Sequence, residues 1–96
     1  MKLESQEIET RLRELSGWAL EENAIEKQFT FASFPDAIAF VTRLAFDAEA
    51  ADHHPDLQIS YRRVTVRWST HSDGGVTPKD FDGARQAEAA ARQTQT

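Results

Sequence analysis

Between Leu57 and Trp68 apolar and polar side chains alternate almost one for one, and the only break falls at Tyr61-Arg62-Arg63. Leu57, Ile59 and Tyr61 interleave with Gln58 and Ser60, and Val64, Val66 and Trp68 interleave with Arg63, Thr65 and Arg67. Successive side chains of a strand point to opposite faces, and residues opposed across a pair share a face. The run therefore predicts two half-buried strands, Leu57 to Tyr61 and Arg63 to Thr70, with room only for a tight reversal. If Tyr61-Arg62 is the turn, Ile59 opposes Val64 and Leu57 opposes Val66; extended outward, this register sets His53 against Thr70 and Asp52 against His71. If Arg62-Arg63 is the turn, His54 falls opposite His71. A slip by one residue would mix the two faces and is disfavoured. The turn lacks the Asn-Gly or Gly-X chemistry such reversals prefer. Both registers bring the ends of the hairpin together, and those ends hold every histidine in the chain: His53 and His54 on one side, His71 on the other.

The remaining chain is read around that hairpin. Residues 1–96 are expected to form one domain. With 40% hydrophobic and 28% charged residues, the composition is that of an ordinary globular protein. No apolar run approaches the ~20 residues that span a bilayer, and Met1 to Glu7 resembles no secretory signal. There is no cysteine, which excludes a disulfide framework and thiol chemistry; the expected location is cytoplasmic. A net charge of −5 argues against nucleic-acid binding, and Arg62, Arg63 and Arg67 read as a solvated hairpin face.

Residues 5–16 predict a short amphipathic helix carrying Ile8, Leu12 and Leu15, with Ser5 as its cap and Gly17 as its stop. Extended structure from Trp18 to Leu20 and a turn at Glu21-Glu22-Asn23 lead into a strand with Ile25, Lys27, Phe29 and Phe31 on one face. Lys27 is expected to snorkel its charge to the edge. Ser33-Phe34-Pro35-Asp36 starts a second helix. Ile38, Phe40, Val41, Leu44, Ala45 and Ala48 give it a broad apolar stripe, and Pro55 ends it near Asp52. After the hairpin, 72–75 is a loop. Thr77-Pro78-Lys79-Asp80 opens a last helix with Phe81, Ala84, Ala87 and Ala91 facing inward and Gly83 as a blemish; 93–96 should fray. The order helix, two strands, helix, two strands, helix implies an α+β fold, a four-stranded antiparallel sheet with three helices packed on one face. Its open side and apolar edges suggest a homo-oligomer.

Histidine exchanges protons near neutral pH, so three converging histidines suit general acid–base chemistry. His53 and His54 are neighbours and cannot point the same way, which gives them different tasks. His53, at a helix C-terminus, has its cation favoured by the dipole; His54, in extended geometry, is freer to accept a proton. Glu49, one turn before His53, is placed to orient that ring. Asp80 stands in a capping-box position relative to Thr77. Trp18 and Trp68 read as core. A three-histidine zinc site is the chemical rival, weakened because adjacent histidines rarely bind one metal and no other ligand spacing is present.

These residues carry a resemblance. Glu49, then His53-His54-Pro55, five residues to Tyr61, nine to His71 and eight to Asp80 form a spaced motif that resembles the pterin-4a-carbinolamine dehydratase family. The likeness also takes in Trp18 after Gly17, Lys27-Gln28-Phe29-Thr30-Phe31, Phe34, Phe40, Ala48-Glu49 and Ser69-Thr70-His71. The resemblance implies dimers or tetramers of this α+β fold. The implied reaction is dehydration of a 4a-hydroxytetrahydropterin to the quinonoid dihydropterin, recycled for aromatic amino acid hydroxylases without metal or other cofactor. It implies His53, His54 and His71 as catalytic residues with Asp80 assisting. Asp52, Ser69, Thr70 and Ser72 would hold the pterin, partly through backbone groups, with Glu49 and Pro55 completing the substrate-binding set. The alternative class it offers is a binding role: some relatives stabilise dimers of a homeodomain transcription factor, and others assist assembly of a carbon-fixing enzyme. Relatives of the assembly kind tend to lose parts of the histidine motif, which this chain keeps.

Overall fold

The computed structural model describes residues 1–94. In chain order the elements are α1 (Ser5–Leu12), β1 (Ala19–Glu21), β2 (Ala24–Thr30), α2 (Phe34–Ala51), β3 (Asp56–Ser60), β4 (Arg63–Trp68), a 3-10 turn (His71–Asp73) and α3 (Pro78–Thr94). The strands form one antiparallel sheet in the order β1-β2-β4-β3. The β3–β4 hairpin takes the register with Tyr61-Arg62 at its turn, Ile59 opposite Val64 and Leu57 opposite Val66. Tyr61 itself adopts the left-handed conformation, φ 56°, in place of the glycine or asparagine such a turn favours.

The ladder is shorter than the sequence suggested. Its outermost rung is Asp56 with Arg67, so neither His53 with Thr70 nor Asp52 with His71 forms a rung. Pro55 has no N–H to donate, and Thr70 pairs instead with Gly75, which curls the chain into the 3-10 turn that carries His71.

Parity decides the layers. Ile25, Phe29, Val64, Val66 and Trp68 are buried, while Gln28 on the other parity is exposed. Covering the buried face are Ala37, Phe40, Leu44 and Ala48 of α2 and Phe81, Ala84, Ala87 and Ala91 of α3. Phe40 sits within 5.0 Å of Phe29 and 4.9 Å of Phe31 by ring centroids. The apolar stripe of α2 is narrower than expected: Ile38 and Ala45 are exposed. Such a helix buries only what the sheet beneath can cover, and β3 is an edge strand whose own residues are all exposed.

Local chemistry sets the ends. Ser33 Oγ accepts from the Asp36 N–H at 3.2 Å, which caps α2 as expected. For α1 the cap is Glu4, not Ser5, with no side-chain cap bond, and the helix stops at Leu12; Leu3 N–H is instead bonded to Val76 O across the fold. Lys27 leaves the apolar face as anticipated, donating to Glu88 Oε2 at 2.6 Å and Ser16 O at 3.1 Å. Glu88 Oε2 also accepts from Trp18 Nε1 at 2.8 Å. Of the 93–96 segment expected to fray, Gln93 and Thr94 continue α3, tied by Arg43 to Thr94 Oγ1 at 2.9 Å; residues 95–96 lie outside the described residues.

Candidate functional site

The end of α2 aims the first histidine. Asp52 takes a left-handed conformation, φ 52°, and its N–H and that of His53 bond back to carbonyls of the last turn, a cap geometry that reverses the chain sharply. His53 is thereby turned inward, where its ring stacks on Trp68 at a 5.4 Å centroid distance and 21°. Its Nε2 lies 2.6 Å from Asp80 Oδ1.

Asp80 is fully buried at the start of α3. Its second oxygen, Oδ2, accepts from the Thr77 backbone N–H at 2.9 Å and from Thr70 Oγ1 at 2.9 Å. The first of these is the capping-box bond anticipated from the Thr77–Asp80 spacing. One carboxylate thus caps a helix with one oxygen and holds His53 with the other. A buried carboxylate without such donors would be costly; here both oxygens are satisfied.

His54, one residue on, points the other way, and its side chain retains 56% exposure. Its Nε2 meets Glu49 Oε1 at 2.8 Å. Glu49 therefore orients His54 and not His53, because the left-handed cap turns His53 away from the helix side on which Glu49 stands. His71 sits exposed on the 3-10 turn. That turn is braced by the Met1 ammonium, 2.6 Å from Asp73 Oδ2. The ammonium, and then the Ser72 hydroxyl, hold the Asp73 carboxyl below its ordinary range.

All three histidines line one open cleft of about 270 Å³, together with Asp52, Ser69, Thr70, Ser72 and Lys79. Of the residues singled out from sequence, Glu49, Pro55 and Asp80 are outside the cleft lining. Glu49 and Asp80 reach the cleft through the histidines they bond. Three residues expected to hold a ligand have their hydroxyls engaged within the protein: Ser69 Oγ donates to Asn23 O at 2.8 Å, Thr70 Oγ1 to Asp80, and Ser72 Oγ to Asp73 Oδ1 at 3.2 Å. Lys79 was not foreseen. It lines the cleft and also a neighbouring recess of about 150 Å³ behind His53 and Trp68; its place beside Asp80 in the helix-opening Thr-Pro-Lys-Asp was the available signal. Among the described residues no group of three histidine or carboxylate side chains is arranged to hold a metal ion.

Chemically, the cleft offers one imidazole anchored on a buried carboxylate, one paired with an exposed carboxylate, and one on a turn. The family model for pterin 4 alpha carbinolamine dehydratase matches residues 1–90. A relative from Roseiflexus sp. (strain RS-1), named after pterin-4-alpha-carbinolamine dehydratase, is 53% identical over 87 residues, 91% of this chain and 94% of the relative. A similarly named protein of Sulfolobus acidocaldarius is 46% identical over 86 residues, 90% of this chain and 94% of its own length.

This chain belongs to the pterin 4 alpha carbinolamine dehydratase family. A solved family structure, the transcriptional coactivator/pterin dehydratase from Brucella melitensis, superposes with a TM-score of 0.91 at 39% identity, covering 95% of this chain and 99% of that one. A pterin dehydratase-like RuBisCO assembly factor of the alpha-carboxysome shares the fold, with a TM-score of 0.63 at 21% identity over 77% of this chain and 86% of that one. The family fold thus extends over the sheet and helices described above, across 95% of this chain.

Proposed function

We propose that this chain is a 4a-hydroxytetrahydropterin dehydratase working by histidine acid–base catalysis, in the recycling of a tetrahydropterin. The observation that carries the reading is the convergence of His53, His54 and His71 on one cleft, within a chain of the dehydratase family. The reaction breaks the C4a–O bond of the carbinolamine and forms the N5–C4a double bond. A protonated histidine delivers its proton to the departing hydroxyl, which leaves as water, and a neutral histidine takes the proton from N5. Net, one water leaves and the pair keeps its total of one proton, now on the other histidine; exchange with solvent returns it to the acid before the next turnover.

His54 and His71 form the acid–base pair in this scheme. Both are exposed to the cleft, and neither is tied to a buried group. His53, fixed between Trp68 and Asp80, supplies a cationic or N–H edge that stabilises developing charge. Asp52 and Ser72 at the cleft wall, and backbone groups of Ser69 and Thr70, hold the pterin; Pro55 sets the junction and Glu49 steadies His54. Each positioned proton transfer contributes on the order of 10²–10⁴-fold.

The test is the rate of quinonoid dihydropterin formation from a chemically generated 4a-carbinolamine, after dialysis against a chelator. We expect acceleration by wild type and loss of about 10²–10⁴-fold in His54→Ala and in His71→Ala. Near-full rate in His54→Ala would refute the mechanism. No acceleration by folded wild type would favour the other reading, a binding module that stabilises the oligomer of a partner protein. The exposed apolar residues of α2 and β3, Phe46 and Ile59 among them, support that second reading. A link to an aromatic amino acid hydroxylase belongs to the enzymatic one.

A further inference from the structure

We propose that the hydroxyls of Thr70 and Thr77 act together as a positioning device for His53, holding the Asp80 carboxylate in the one orientation that fixes the ring. This inference rests on the dehydratase reading for its kinetic consequence, though not for its structural one.

The hydrogen atoms can be followed one by one. Asp80, as a carboxylate, only accepts. Thr70 Oγ1 therefore spends its single proton on Asp80 Oδ2 at 2.9 Å. The 2.8 Å contact between Thr70 Oγ1 and Thr77 Oγ1 must then be donated by Thr77. Thr77 Oγ1 in turn accepts from the Lys79 backbone N–H at 3.3 Å. The chain runs one way, from the first turn of α3 through two hydroxyls to the carboxylate. At the far oxygen, Oδ1 can only accept as well, so His53 Nε2 carries the proton across the 2.6 Å contact. The neutral ring is thereby held in its Nε2–H form, with Nδ1 bare.

Both threonines are buried, at 6% and 4% exposure. A hydroxyl whose proton is committed to a buried carboxylate is not free to donate to a molecule in the cleft. Thr70 consequently acts on substrate through Asp80 and His53, although its residue lines the cleft. Thr77 lies outside the cleft lining and would pass for a helix cap alone. The two oxygens nonetheless touch, and each leaves the other a single way to point.

The experiment is a double-mutant cycle with Thr70→Val, Thr77→Val and the double variant, plus Thr70→Ser and Thr77→Ser as hydroxyl-retaining controls. Two readouts are used: the ¹⁵N shifts of the His53 ring, which report where the proton sits, and the split of kcat against KM. Each Val variant is expected to lower kcat by roughly tenfold up to about 10²-fold, since small misplacements cost that much, with KM little changed. The double variant should be no worse than the poorer single one, as for residues acting as a unit. The Ser variants should keep the wild-type ring signature and recover most of the rate lost in the Val variants. Raised KM at unchanged kcat in Thr70→Val, with Thr77→Val behaving as wild type, would overturn the proposal in favour of direct substrate contact. Should the Val variants fail to fold, the wild-type spectrum still decides: a neutral His53 ring with its proton on Nδ1 is incompatible with the device. If wild type proves inactive, the dehydratase reading fails, while the ring-nitrogen shifts continue to test the positioning claim on their own.

Discussion

Asp80 shows how much one side chain can be asked to do. Its two oxygens face donors on different elements, Thr77 N–H and Thr70 Oγ1 on one side and His53 on the other. Replacing it by asparagine preserves shape but turns one oxygen into an NH₂. That group must then confront a donor in a site with no solvent exposure. An unsatisfied buried polar group costs about 1–3 kcal/mol. The contrast is Glu49, whose bond to His54 joins side chains with 81% and 56% exposure; such pairs contribute about 0–1 kcal/mol. In urea unfolding, Asp80→Asn is expected to lose about 1–3 kcal/mol and Glu49→Gln less than about 1 kcal/mol. Equal losses would mean that the buried carboxylate is not a tightly satisfied hub.

At the scale of the element, the glycine in α3 has a reason. Gly83 faces the Trp68 ring so closely that a Cβ there would lie 2.6 Å from ring carbons. In an open helix, glycine to alanine stabilises by about 0.8–1 kcal/mol. Here overpacking of about 1–3 kcal/mol opposes that gain, and the Trp68 ring that must yield is the one on which His53 stacks. Gly83→Ala is therefore expected to lower Tm, with an altered near-UV circular dichroism spectrum from the displaced indole and a reduced dehydratase rate. A raised Tm would show that α3 can shift away at no cost. The same contact explains why α3 can pack so near the sheet: a helix carrying Phe81, Ala84, Ala87 and Ala91 inward has little bulk over β4.

Across the whole molecule, the β3 edge of the sheet is left without cover among the described residues. Among those residues β3 is bonded only to β4, and Leu57, Ile59 and Tyr61 are 37%, 41% and 70% exposed. On α2, Phe34, Ile38 and Phe46 are 47%, 38% and 75% exposed. An edge strand with apolar side chains invites pairing with another chain. A second copy is the occupant expected here, in line with the homo-oligomer anticipated from the open sheet. Ile59→Lys should shift the light-scattering mass toward that of one 10.8 kDa chain, because a charge on the edge opposes strand pairing. A wild type that already scatters as a monomer at working concentration would exclude the oligomer.

The sequence by itself determined the local order of this protein. Period-2 alternation specified the β3–β4 register once the reversal was placed at Tyr61-Arg62, the apolar spacing specified the inward faces of α2 and α3, and Pro55 specified where helix gives way to strand. The gathering of three histidines followed from hairpin closure alone, even though the ladder stops short of them. Side-chain pairing was decided by the tertiary structure. Glu49 serves His54 because the left-handed cap at Asp52 turns His53 inward. Asp80 meets His53 across 27 positions, and Thr70 turns its hydroxyl to that carboxylate and away from the cleft. Periodicity reports which face of an element is buried. Which atom meets which depends on how α2 and α3 are rotated against the sheet and on a single backbone reversal at Asp52, quantities that no local pattern encodes.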